Sequence, residues 1–371
     1  MSSATVYDMV MTSLDDVVHP PSQRQRARRT RECPESTPGA VVRAPIDGVT
    51  RLRVTGASPG IPLARADRVP RHRRGIPSLD ARSQFMSIQE AVTSTRTGHV
   101  DTEGDRIVFD VRGEGTPIAL LPGTPGDASV FGLVAGPLAA DHTVVTYDPR
   151  GFGRSSANEP RRYEIGQQAR DVVAVLRAAG IERALVVGSS AGAEVGLELA
   201  TNHPDVVAGV VTHEPPVVRL LPDTDELQTR IAEIYRTAWT EGSKAAFFDF
   251  LLLTQLPFNA GEPFTAAEVA AIRPGAEQVP GIDFADYYMK HQMLPLTDYL
   301  PDLDRIRRNG VKLVAGAGRL SLDLPFGRTA RAVAEGAGAP FAVFPGHHGS
   351  LSDPSTAEAW TATLRDALAS L

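Results

Sequence analysis

The chain has 371 residues, 42% of them hydrophobic and 22% charged, with a formal net charge of −6 and a single cysteine, Cys33. That composition supports a large buried core and excludes an intrachain disulfide framework, and no Cys/His cluster has zinc-ligand spacing. No apolar run approaches the ~20 residues of a membrane span, and the first residues lack the basic-then-apolar order of a secretory signal. The expectation is a soluble, cytoplasmic protein with no membrane partner, no nucleic-acid partner and no metal.

The charge is unevenly spread. Residues 1–85 hold 14 Arg, no Lys and 8 acidic residues, a net +6, whereas the remainder carries 24 basic and 36 acidic residues, a net −12. The first part is also broken by Pro20, Pro21, Pro34, Pro38, Pro45, Pro59, Pro62, Pro70 and Pro77. It shows no persistent apolar period and reads as a disordered, solvated Arg/Pro-rich tail. Globular patterning opens at Met86, a candidate start of translation.

From there short apolar runs alternate with helix-period segments, the signature of a parallel sheet built from strand–helix–strand units. Residues 99–112 read as a hairpin turning at Gly104-Asp105. Strands follow at 117–121 and 142–147. Ile165, Ala169, Val172 and Leu176 recur at helical spacing, with Gly180 as a stop. A strand at 184–187 runs into a helix at 191–203. Further strands are expected at 207–212, 311–315 and 341–344, with helices at 327–337 and 355–371, the last capped by Ser355. Between 215 and 310 the strand rhythm stops. Residues 226–252 and 283–308 look helical, so this stretch is expected to form a helical cap or lid on a core made of 86–214 and 311–371.

Gly188-Ser189-Ser190-Ala191-Gly192 sits between the 184–187 strand and the following helix. A serine hydroxyl is a weak nucleophile unless held exposed beside a base and near backbone donors. A sharp strand-to-helix turn does this, and it needs small residues such as Gly188 and Gly192 so that neighbouring backbone can approach.

With that elbow in place, the chain resembles the α/β-hydrolase fold family over residues 95–371. Leu120-Leu121-Pro122-Gly123-Thr124-Pro125-Gly126 is similar to the family's His-Gly-x-Pro-Gly loop, with Pro122 in place of the His. Tyr147-Asp148-Pro149-Arg150-Gly151-Phe152-Gly153-Arg154-Ser155 matches its Tyr-Asp-x-Arg-Gly-x-Gly-x-Ser, where Asp148 is expected to brace its turn with Arg150. Phe344-Pro345-Gly346-His347-His348 resembles the loop with the late histidine. The resemblance implies a mostly parallel eight-stranded sheet flanked by helices, with Ser190 as nucleophile. The oxyanion hole would be formed by the N–H groups of Thr124 and Ala191. His348 is the expected base, with His347 as the alternative.

The acid departs from the common pattern. Its usual slot, in the loop after the 311–315 strand, is occupied by Gly318, and Asp323 is the nearest acid downstream. Glu214, after the 207–212 strand, fits a second placement known in the family and is the first choice, with Asp323 the alternative. Glu194, four residues past Ser190, has no assigned role. The expected activity is cofactor-free hydrolysis of a small, partly hydrophobic ester, thioester or lactone. C–C hydrolysis, acyl transfer and perhydrolysis on the same triad stay open, as does a ligand-binding protein with little turnover.

Overall fold

The computed structural model describes residues 94–158, 163–258 and 262–371. The Arg/Pro-rich segment 1–85 and Met86 lie outside them. The frame is an eight-stranded sheet: β1 (Thr95–Thr102), β2 (Asp105–Arg112), β3 (Thr116–Leu121), β4 (His142–Tyr147), β5 (Ala184–Ser189), β6 (Val207–His213), β7 (Leu313–Gly318) and β8 (Phe341–Phe344). Their order across the sheet is 1-2-4-3-5-6-7-8. β1 pairs antiparallel with β2, and β2 with β4; every pairing after that is parallel. The mostly parallel eight-stranded architecture expected from the sequence is therefore present. Parallel strands need crossovers, and helices on both faces supply them. α1 (Gly132–Leu138) and α7 (Ala357–Ala369) share one apolar layer with Ile118, Val144, Val187 and Phe344. α2 (Ile165–Ala178), α3 (Ala191–Asn202) and α6 (Pro325–Ala337) share the layer on the other face. The predicted stripe Ile165, Ala169, Val172 and Leu176 is buried along α2.

Local readings shift in four places, each for a physical reason. The first hairpin turns at Glu103-Gly104 rather than Gly104-Asp105, because Thr102 pairs with Asp105. Both turn residues take positive φ, 47° and 86°, as a two-residue hairpin with the right strand twist requires. β7 runs from Leu313 to Gly318, not 311–315, so Gly316, Ala317 and Gly318 lie in the ladder. Their smallness hides them from a propensity reading, yet the neighbouring strand demands it: a Cβ on Gly316 would lie 2.6 Å from the Ala342 carbonyl oxygen. Ser355 does not cap α7; it hydrogen-bonds Asp353 at 2.8 Å, and Thr356 holds the cap position. Asp148 braces its turn with Arg154 (2.7 Å) and the Ala128 N–H (3.1 Å) instead of with Arg150. Arg150 reaches away, to Asp171 at 2.6 Å and to Asp105.

Between β6 and β7 the chain leaves the sheet. α4 (Thr224–Thr240) and α5 (Ser243–Thr254) break at Gly242, whose φ of 119° no ordinary residue adopts freely. A two-residue ladder joins Pro257–Phe258 to Glu262–Pro263. The segment read as one helix over 283–308 is several short pieces, including a π-helical turn at Tyr288–Gln292. These elements have their own apolar core, centred on Phe247, Phe248, Phe250, Met289 and Met293, which packs onto Ala191, Ile165 and Phe326 of the sheet unit. Among the described residues no helix is long and apolar enough to cross a membrane.

Candidate active site

Ser190 is the hinge between β5 and α3, with φ 54° and ψ −125°. A non-glycine residue in that region is strained and persists only where its surroundings impose it. Here the Ser190 N–H donates to the His213 carbonyl on β6 at 2.8 Å. A Cβ on Gly188 would come within 2.2 Å of the Gly192 carbonyl oxygen, and one on Gly192 within 2.1 Å of that of Leu121. The elbow and the loop after β3 are thus in backbone contact. Gly123 completes the fit: a Cβ there would lie 2.8 Å from the Ser190 Cβ.

That contact brings the two predicted oxyanion donors to one place. Ala191 opens α3, where the first N–H groups of a helix have no intrahelical acceptor and the helix dipole favours negative charge. Thr124 lies in the loop that touches Ser190, and Thr124 and Ser190 line the same cavity. Among the described residues the Thr124 N–H meets no backbone acceptor. Its hydroxyl donates to Gln292 Oε1 at 2.7 Å.

The structure brings His348 together with Glu214: Nδ1 donates to Oε2 at 2.7 Å. Glu214 follows β6 directly, with φ 48°, and is fully buried. Its other oxygen accepts the Gly318 N–H at 2.8 Å. Burial pushes its carboxyl up, but the His348 hydrogen bond, nearby His213 and the Gly318 N–H outweigh burial and hold it at about 2. An ionised carboxylate places the proton on His348 Nδ1 and leaves Nε2 with the lone pair that a base needs. Asp323 is exposed on the loop after β7. His347 makes a different set of bonds: its Nδ1 accepts the Gly349 N–H at 3.1 Å and its own N–H donates to Ser350 Oγ at 2.7 Å. Burial lowers its pKa, which further weakens it as a proton acceptor.

Two contacts here were not foreseen from the sequence. Gly318, read there as standing in the usual acid slot, donates its N–H to Glu214, the first choice of acid. A side chain would not fit, since a Cβ would lie 2.6 Å from the Gly346 carbonyl oxygen and 2.8 Å from His347 Cα. The paired signal was legible: an acid gained after β6 and lost after β7. The second is His213, fully buried between Phe344 and Trp360, whose Nδ1 bonds Ser189 Oγ at 3.2 Å and whose Nε2 lies 3.8 Å from Glu214. Burial lowers its pKa to about 4, so it is neutral near pH 7.

Above Ser190 and His348 lies a cavity of about 230 Å³. Its far wall comes from the insertion and is apolar: Phe247, Phe250, Leu251, Leu256, Phe284 and Tyr288, joined by Phe326 of α6. The rings meet edge to face, Phe247 on Phe284 at 5.2 Å and Phe250 on Tyr288 at 5.5 Å between centroids. Phe326 stacks near His348 at 5.6 Å. Glu194 does not line this cavity; it is fully buried in α3, with neither carboxyl oxygen bonded among the described residues. No three His, Cys, Asp or Glu side chains among those residues converge as metal ligands would.

Comparison with known proteins agrees with this frame. A family model described as alpha/beta hydrolase fold matches residues 116–271. The uncharacterized hydrolase YraK of Bacillus subtilis strain 168 is 28% identical over 256 residues, covering 68% of this chain and 89% of that protein. Among solved structures, Est816, described as an N-acyl homoserine lactone degrading enzyme, superposes with a TM-score of 0.53 at 24% identity over 72% of this chain and 99% of its own. A thermophilic esterase from Thermogutta terrifontis gives 0.55 at 20% identity, over 74% and 98%. At these identities the structural likeness speaks to the fold.

Proposed function

The chain belongs to the α/β-hydrolase fold family, and within it we propose a serine hydrolase that cleaves small, partly apolar esters, thioesters or lactones through an acyl-enzyme on Ser190. The observation that carries this reading is the hydrogen bond between His348 Nδ1 and buried Glu214, with His348 and Ser190 lining one cavity. In this mechanism His348 takes the Ser190 proton as Oγ attacks the substrate carbonyl. Glu214 holds the ring and stabilises the imidazolium that forms. The N–H groups of Thr124 and Ala191 receive the oxyanion, each accounting for ~3–4 kcal/mol of barrier lowering. His348 then protonates the leaving alcohol, thiol or tethered hydroxyl, and water repeats the sequence to free the acid.

In the same reading residues 86–214 and 311–371 form the catalytic core, and 215–310 is a lid whose aromatic wall receives the acyl part. YraK is a named hydrolase, and the two structural neighbours are described as an N-acyl homoserine lactone degrading enzyme and an esterase. Both reactions need the same carbonyl attack. The test is labelling with a fluorophosphonate probe. The intact protein is expected to label, Ser190→Ala to lose the label, and His348→Ala and Glu214→Gln to label far more slowly, with His347→Ala close to the parent. An unlabelled intact protein rejects the activated serine, and a silent His348→Ala beside an impaired His347→Ala reverses the choice of base.

A further inference from the structure

One contact joins the lid to the reacting loop across 168 residues of sequence: the Thr124 hydroxyl and the Gln292 side-chain amide, 2.7 Å apart. Gln292 is fully buried. Its amide nitrogen has no partner among the described residues. A leucine would fill similar space without stranding a polar atom, so packing does not account for an amide there. The backbone beneath it is also unusual. Gln292 ends the π-helical turn Tyr288–Gln292, a rare geometry that inserts one residue into the helical register and recurs at functional sites. Tyr288, at the other end of that turn, lines the cavity. The turn thus gives the cavity a wall with one residue and holds the Thr124 loop with another.

Gly123 lets the loop approach Ser190 closely, and the Gly126 N–H closes its turn on the Gly123 carbonyl at 2.8 Å, so the Thr124–Gln292 bond adds a second hold, from the insertion, at a residue between them. Granting the Ser190 mechanism above, we propose that Gln292 is a positioning residue: it accepts the Thr124 hydroxyl and so sets the direction of the Thr124 N–H toward the developing oxyanion. The lid would then take part in the chemical step, not only in substrate choice. A small displacement of such a donor is enough to slow turnover ~10–100-fold without changing how the substrate is held.

The test is steady-state hydrolysis of p-nitrophenyl butyrate by the full chain, its Ser190→Ala form, Thr124→Val, Gln292→Leu, the double variant and Gln292→Glu. Thr124→Val keeps the N–H and the branched shape but removes the hydroxyl. Each single variant is expected to lower kcat ~10–100-fold with KM little changed. The double variant should be no worse than either single one, since both remove the same hydrogen bond. Gln292→Glu keeps an acceptor oxygen for the Thr124 hydroxyl in either protonation state and should recover most of the rate. Additive losses, loss expressed only in KM, or no recovery in Gln292→Glu overturn the proposal. If Gln292→Leu does not fold, a parent-like kcat in Thr124→Val overturns it equally. Turnover that survives Ser190→Ala rejects the serine mechanism and the role of Gln292 with it. Turnover abolished in Ser190→Ala but unchanged in Gln292→Leu rejects only the latter.

Discussion

The two walls of the cavity are built by opposite means. On the sheet side most of the proposed reacting groups are set by backbone: Ser190 by its positive φ and the His213 carbonyl, Glu214 by the Gly318 N–H, Ala191 by a helix end, while His348 is held by the Glu214 side chain. On the lid side the wall consists of aromatic rings packed edge to face, with Gln292 as the polar link across. Backbone geometry tolerates no adjustment, whereas ring packing can change shape while staying buried. In the proposed mechanism the sheet side, with its link to Gln292, should therefore set the rate for every substrate, and the aromatic wall of the insertion the ranking among substrates.

The largest effect that tests this division comes from Glu214→Gln. The amide keeps the shape but loses the charge that fixes the His348 tautomer, and kcat should fall ~10⁴-fold for short and long acyl esters alike. Steady-state kinetics on acetyl, butyryl and octanoyl esters measure it. A loss that differs strongly between chain lengths would place Glu214 on the selecting side and break the division.

Opposite behaviour is expected from Phe250→Ala, which opens the apolar wall. Its loss should be confined to longer acyl chains, ~10–100-fold in kcat/KM, with acetyl esters nearly unaffected. The same ester series reads it out, and a uniform loss in kcat would show that the lid wall holds the catalytic groups rather than the substrate.

The unequal legibility of the two sides in sequence has the same origin. The elbow at Ser190 and the mostly parallel sheet were readable because a strand–turn–helix with glycines at fixed offsets has few backbone solutions. The contact between Glu214 and His348 was also foreshadowed, by a glutamate standing at the end of β6. The limits of β7 were not, because Gly316 and Gly318 are small to suit neighbouring backbone and carry no strand propensity. Neither was the choice between His347 and His348, which the conformation of the Gly346–Ser350 loop decides. The insertion between β6 and β7 was legible only as helical composition. Its breaks at Gly242 and at the π turn, and the convergence of Gln292 on Thr124, depend on tertiary packing that no local period encodes.

Glu194 is the exception that sharpens the division, since it is a carboxyl on the elbow helix set against apolar surroundings and buried tyrosines. Burial raises its pKa well above 4.5, and its charge would in turn oppose ionisation of Tyr163, Tyr288 and Tyr299. The folded protein thus keeps a proton there that the unfolded chain releases above pH ~4.5. Where the native state binds the extra proton, stability falls as pH rises, from the unfolded pKa up to the raised folded one. Glu194→Gln removes that dependence. It should leave turnover at pH 7 close to that of the parent, because Glu194 lies outside the cavity. Its stability should match the parent's near pH 4.5 and exceed it increasingly toward alkaline pH. Urea unfolding of both proteins between pH 5 and 8.5 measures the difference, and parallel stability curves would show that α3 holds the ionised Glu194 carboxylate at no cost to folding.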